Sequence, residues 1–209
     1  IRIKDLGTSQ WVPFFVKGAD GKYALRDARF VVPEDWNFEH EKGYLRGLHK
    51  KSERRDGLVV SDKNYSDFIV RVTYQIFGGN SALYFRAEEV NTPWLLKGFQ
   101  NEIAGGAKDS ALWHTAGDKT KGRGWVAQND EFITKVRNPT GWNTTCTVAY
   151  GDRIVEILNG QWTIDIIDPL CEKSGKVGLQ LHGGINAEMW FKDFEILVIT
   201  PEMKALIDR

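Results

Sequence analysis

Residues 142–169, WNTTCTVAYGDRIVEILNGQWTIDIIDP, hold three apolar-rich runs separated by two abrupt reversals. Within 142–150, 153–158 and 161–167, apolar and polar side chains alternate, which is the period of a half-buried strand and not of a helix. The breaks are Gly151-Asp152 and Asn159-Gly160. The second is the stronger signal, because both central residues of a type I′ hairpin turn need positive φ and this pair tolerates it best.

The same alternation continues outward through 68–77 (FIVRVTYQIF), 82–86 (ALYFR), 98–103 (GFQNEI), 177–182 (VGLQLH) and 188–199. Turn signals stand between them at Gly78-Gly79-Asn80, Ser174-Gly175 and Gly183-Gly184. Helical periodicity is nearly absent. Many strands at close spacing with tight turns predict an all-β protein, a two-sheet antiparallel β-sandwich of the jelly-roll type, over any βαβ arrangement. The first 60 residues are less regular and charge-rich (HKKSERRDG). A single domain over 1–200 is expected, with 201–209 (PEMKALIDR) a C-terminal tail that reads as a short helix or the beginning of a further region. Residues 104–129 break the rhythm with five glycines and two tryptophans, and so long a loop in a compact domain is usually functional or disordered.

The composition, 42% hydrophobic and 12% aromatic over 209 residues, suffices for one large core. The 28 basic and 28 acidic side chains cancel, so no overall basic field exists to draw nucleic acid or an anionic membrane surface. No run of about 18 apolar residues is present to span a bilayer. Cys146 and Cys171 are too few for a disulfide framework, lack metal-site spacing and leave their pairing open. The chain begins at Ile1, consistent with a removed signal peptide or with trimming.

Because side chains alternate across a strand, the apolar phase of each strand marks its core face. Leu83 and Phe85 leave Tyr84 and Arg86 outward; Phe99 and Ile103 leave Gln100 and Glu102; Val177, Leu179 and Leu181 leave Gln180 and His182. Trp142, Cys146, Val148 and Tyr150 leave Asn143 and Thr145, and Glu188 shares the outward phase with Trp190. If these strands share one sheet, its outer face is short of Lys and rich in amide, imidazole and indole groups. Planar hydrogen-bonding side chains with an aromatic surface are what a sugar site requires. A solvated sheet face with incidental polar residues is the competing reading.

The blocks GGNSALYFR, GFQNEI, GWNTTCTVAYGDRIVEILNG, GLQLHGG and WFKDFEI, in this order and spacing, resemble the 3-keto-disaccharide hydrolase domain family over about residues 36–199. The resemblance implies a concanavalin A-like lectin/glucanase sandwich, an exported protein of the periplasm or extracellular space, and action on glycosides whose sugar is oxidised to a ketone at C3. Asn80 and Arg86 stand where the family has NSG-x-FFR, with Ala82 and Leu83 in place of the commoner Gly-Ile. Glu102 carries the carboxylate of the G-Y-[E/Q]-x-[Q/E]-I block, and Gln180 and His182 fall in QLHGG.

The acids of a glucanase on this fold, E-x-D-x-x-E on one strand, are absent, and Asp165 and Asp168 read as solvated or turn-forming. A 3-keto sugar needs less: the ketone acidifies the C2 hydrogen, so one base and an enolate stabiliser suffice. On this reading Glu102 is base or metal ligand, and His182 is metal ligand or acid/base, the pair able to hold a divalent cation. Arg86 orients substrate or stabilises the oxyanion, while Asn80, Gln100 and Gln180 bind hydroxyls. Trp113 and Trp190 offer stacking surfaces and His114 closes over the ligand. Against these stand a His182 that only caps the Gly183-Gly184 turn, an Arg86 that only pairs with Glu102, and a Trp190 packed against a loop. The alternatives to a hydrolase or lyase are a non-catalytic, lectin-like sugar-binding domain and a structural module.

Overall fold

The alternation that marks the strands also decides how they stack. In the computed structural model, which describes residues 11–115 and 123–207, two antiparallel sheets face each other. The back sheet runs in the order β15 (Gln161–Ile167), β14 (Arg153–Leu158), β13 (Asn143–Tyr150), β8 (Phe68–Gly78), β17 (Ala187–Val198), β6 (Tyr44–His49) and β5 (Trp36–Glu39), with β1 (Val12–Pro13) also on β17. The front sheet runs β12 (Gly124–Ala127), β11 (Leu112–Thr115), β10 (Leu96–Ile103), β9 (Ser81–Glu89), β16 (Lys176–Leu181), β7 (Gly57–Ser61) and β4 (Ala28–Val31). A ribbon of β2 (Phe15–Lys17) and β3 (Tyr23–Leu25) and helices α1 (Asp130–Val136) and α2 (Pro201–Ile207) complete the described chain. The jelly-roll expectation therefore holds, and Asn159 and Gly160 both have positive φ in the turn between β14 and β15.

Leu83, Phe85, Phe99, Val177, Leu179 and Leu181 of the front sheet meet Val70, Val72, Tyr74, Met189 and Phe191 of the back sheet in one core. Each such side chain contributes about 1.5–3 kcal/mol by leaving water. Seven strands lie within the first 61 residues, where charge obscures the period, and β11 and β12 lie inside the predicted long loop. Residues 116–122 of that loop are outside the described residues.

One phase is reversed relative to the sequence expectation. Cys146 and Val148 of β13 face away from the main core, into a smaller cluster with Ile69, Val155, Leu197 and Met203 of α2. Thr145 and Thr147 therefore point between the sheets. There Thr145 donates to Asn101 Oδ1 at 2.9 Å, Thr147 donates to Glu156 at 2.6 Å, and the Asn101 amide donates to Thr147 and Glu156. Burial pushes the Glu156 carboxyl well above its ordinary value, so it is the neutral acid that the dry interior accepts. This network ties β10 to the back sheet at Asn101, which leaves Gln100 and Glu102 on the other side.

Arg86 also departs from simple alternation. A bulge in β9 sets Arg86 at φ 47° and shifts the register against both β10 and β16. The bend needs glycine on both neighbours: a Cβ at Gly98 would lie 2.6 Å from the Ala87 Cα, and one at Gly175 would lie 2.3 Å from the Arg86 carbonyl carbon. The bulge turns the guanidinium inward, where Arg86 is 1% exposed and donates to the Ser66 and Gly151 carbonyls and to Asp67 Oδ1 at 3.1 Å. Arg86→Ala removes a buried guanidinium and one partner each from the Ser66 carbonyl, the Gly151 carbonyl and Asp67, the last still held by the Gly151 amide and Lys204, and should lower stability by about 3 kcal/mol in urea unfolding. An arginine that contacted only substrate would leave the unfolding midpoint unchanged.

Candidate active site

The outward phase of the front sheet builds a row across four strands. Gln100 stands opposite Tyr84 on β9 and Trp113 on β11, and Trp113 stands opposite Trp125 on β12. On the next row Glu102 is opposite Ala82, and Gln180 is opposite Leu58. Gly178 lies beside Tyr84, so Ala82 and Gly178 keep the floor low between the larger polar groups. The floor is recessed: Glu102 is 7% exposed, Gln100 6% and Gln180 3%.

Burial dominates the electrostatics. It pushes the Glu102 carboxyl up to about 7, with buried Asp109 adding repulsion, while a bond from Asn80 Nδ2 to Glu102 Oε2 at 3.3 Å offsets part of the rise. Desolvation also raises the Tyr84 phenol, which stays protonated with Thr115 and Gln100 beside it. Gln180 Nε2 donates to Asp56 Oδ2 at 2.7 Å and approaches the Tyr84 hydroxyl at 3.5 Å, while Gln180 Oε1 accepts from Gln100 Nε2 at 3.5 Å. Asp56 Oδ1 accepts the Gly183 amide at 2.7 Å. Gln180 thus spends its amide inside the protein and acts as a support; Gln100, Glu102 and Asn80 carry the surface a ligand would meet.

The structure brings Asn80, Gln100, Glu102, Gln180 and Trp113 together and separates the rest. His182 follows β16 and is exposed; its amide donates to the Asn80 carbonyl at 3.1 Å, which seats it at the rim, but its ring Nδ1 bonds to Gly183 O at 2.8 Å. Arg86 is withdrawn from this face by its bulge and pairs with Asp67, not Glu102. His114 stands opposite Phe99 and so points inward, 3% exposed, edge-on to the Phe99 ring and bonded to Glu172 at 3.1 Å; it is a core histidine and not a cover for the site. Trp190 and Asn143 belong to the back sheet, where Trp190 packs on Tyr44 at 4.5 Å and Phe77 at 4.3 Å, and Asn143 holds the 138–141 turn. A cation between Glu102 and His182 finds a poor donor set. Among the described residues no cluster of three or more His, Cys, Asp or Glu side chains could hold one, and the neighbour bonded to Glu102 is an amide.

Sequence reasoning missed Asp56, Tyr84 as a site residue and Trp125. Asp56 sits in the charge-rich run ERRDG, which reads as solvated loop, and only its pairing with Gln180 across strands reveals it. Because both Asp56 oxygens accept, one from Gly183 N and one from Gln180 Nε2, Asp56 dictates which way the Gln180 amide points. Asp56→Asn should turn that amide over and weaken sugar affinity roughly tenfold in calorimetry, about the worth of one misplaced charge-assisted hydrogen bond. Adding Gln180→Glu restores a donor facing an acceptor and should recover most of the affinity; if the double variant binds no better than the single, the directional account is wrong.

Solved structures share this architecture at low identity. A putative glycosyl hydrolase from Parabacteroides distasonis is 19% identical, with 91% of this chain and 100% of that one covered and a TM-score of 0.61. A Bacillus subtilis protein of unknown function with a galectin-like fold is 11% identical, with 82% and 89% covered and a TM-score of 0.58. A structure from work on endo-acting O-glycanases of the human gut microbiota is 15% identical, with 93% and 94% covered and a TM-score of 0.54. At these identities they establish the sandwich alone. No curated protein matches the chain in sequence. Residues 9–197 do match the 3-keto-alpha-glucoside-1,2-lyase-like domain, over most of the chain's length, and the chain belongs to that family, which ties it to carbohydrate chemistry.

Proposed function

We propose that the chain cleaves glycosides whose sugar carries a ketone at C3, by elimination and hydration, with Glu102 as the base. The observation that supports this most directly is a recessed carboxyl pushed up to about 7 by burial, hydrogen-bonded to an amide and not to a cation. Near neutral pH such a group is both ionised in part and basic enough to take a carbon-bound proton.

Glu102 removes the C2 hydrogen as a proton, and its electron pair forms the enolate with the C3 oxygen. The enolate collapses to restore C3=O and form C1=C2, the bond from C1 to the leaving oxygen breaking with its electrons. Water then adds to C1 while C2 regains a proton, so the net change is hydrolysis. Asn80 Nδ2, beside the base, is the neutral donor for the enolate oxygen, in a low-dielectric site where such dipoles count for more than in water, and the buried Tyr84 hydroxyl supports the amides behind it.

A non-catalytic sugar-binding domain is the second reading, favoured by the same outward amides and by Trp113. Glu102→Gln separates the two. It should lower kcat by about 100-fold or more on a 3-keto-glucoside while leaving sugar affinity nearly intact. In the native protein kcat/KM should rise with pH through about 7, because the base acts only when deprotonated. Release of sugar undiminished in Glu102→Gln, or a rate flat across that range, would contradict the assignment.

A further inference from the structure

We propose that the wall formed by Trp113 and Trp125 receives the leaving group and that this group is a planar aromatic alcohol, so that the preferred substrates are aryl glycosides. This rests on the reaction proposed above and extends it to the part of the substrate that departs.

The placement follows from register. Trp113 is the outward neighbour of Gln100, and Trp125 of Trp113. At about 4.8 Å per strand, Trp125 lies roughly 10 Å across the sheet from Gln100. A sugar held over Gln100 and Glu102 with its C1 turned toward β11 places its substituent over the indoles. The two rings meet edge to face at 4.9 Å and 81°, and Trp125 remains 41% exposed. Gly124, at φ 55°, adds no side chain beneath them; a Cβ there would lie 3.4 Å from the Trp113 ring.

The chemistry of this wall narrows the occupant. The described outward residues of β11 and β12 are Trp113, Thr115 and Trp125, with His114 turned inward, so no carboxylic acid or imidazole on these strands can protonate a departing oxygen. A second sugar would leave as a strongly basic alkoxide, and the indoles offer its hydroxyls no hydrogen-bonding pair; the nearest amide and carboxylate, Gln128 and Asp130, are already bonded to Lys108. A phenol, with a pKa of about 10, leaves as phenolate without prior protonation and then takes its proton from Glu102 or water. Lys108 adds positive charge on this side: its ammonium lies 5.2 Å from the Trp125 ring centre and bonds to Asp130 at 2.5 Å and to Gln128, leaving a third N–H for an incoming oxygen.

The test compares phenyl, methyl and glucosyl 3-keto-glucosides of both anomers with wild type, Trp125→Ala and Trp125→Phe. Wild type should favour the phenyl compound. Trp125→Ala should cut kcat/KM for it roughly tenfold or more while changing the methyl compound by less than about twofold, and Trp125→Phe should keep most of the preference. Equal losses on phenyl and methyl compounds, or a wild-type preference for the disaccharide, would overturn the proposal. If wild type cleaves none of the three, the reaction fails but the subsite is still judged by calorimetry with phenyl and methyl glucosides. Tighter phenyl binding that Trp125→Ala removes supports an aromatic subsite, and equal binding rejects it.

Discussion

The site depends on Asn101, a residue that never reaches it. Its amide is bonded across the sandwich to Thr147 and Glu156, and it accepts from Thr145, so β10 cannot roll about its own axis without breaking a fully buried network. With Asn101 fixed inward, strand geometry leaves Gln100 and Glu102 outward on the same strand. Glu156 serves here as a neutral acid, and its protonation by burial makes the network tolerable in a dry interior. Two acids one sheet apart are thus raised by the same cause to different ends: Glu156 is sealed and structural, whereas Glu102 remains 7% exposed.

How much of this the sequence discloses follows the same logic. Where one face is apolar and one polar, as in VGLQLH and GFQNEI, alternation read both the strand and its orientation correctly, and Gln180, Gln100 and Glu102 emerged on one face. In WNTTCTVAY the reading inverted, because α2 covers the outer side of β13 and makes that side apolar as well, while threonines serve the interior network. Arg86 was misplaced because a single bulged residue reverses the phase, and bulges leave little trace beyond nearby glycines such as Gly98. Trp190 and Asn143 failed for another reason: alternation assigns a face but not a sheet, and only long-range pairing put them on the back sheet. Asp56 and Trp125 stayed hidden because each is defined by a partner in another strand, Gln180 and Trp113 respectively.

The resulting site differs from a two-carboxylate glycosidase in kind. One acid raised toward neutrality, Glu102, stands among amides whose direction is set by Asp56, with the buried Tyr84 phenol behind them. An ordinary glycoside needs an acid and a nucleophile or base together, and among the described residues Glu102 alone at this face is raised toward neutrality. This supports the proposal of a substrate that already carries its own electron sink, which is what a ketone at C3 provides.

The central claim is therefore that the chemistry begins at C2, with Glu102. It is tested most directly by running the reaction on a 3-keto-glucoside in deuterated water and examining the released sugar by NMR. Deuterium incorporated at C2 by the native protein and not by Glu102→Gln is the predicted result. Cleavage that leaves the original hydrogen at C2 would contradict it.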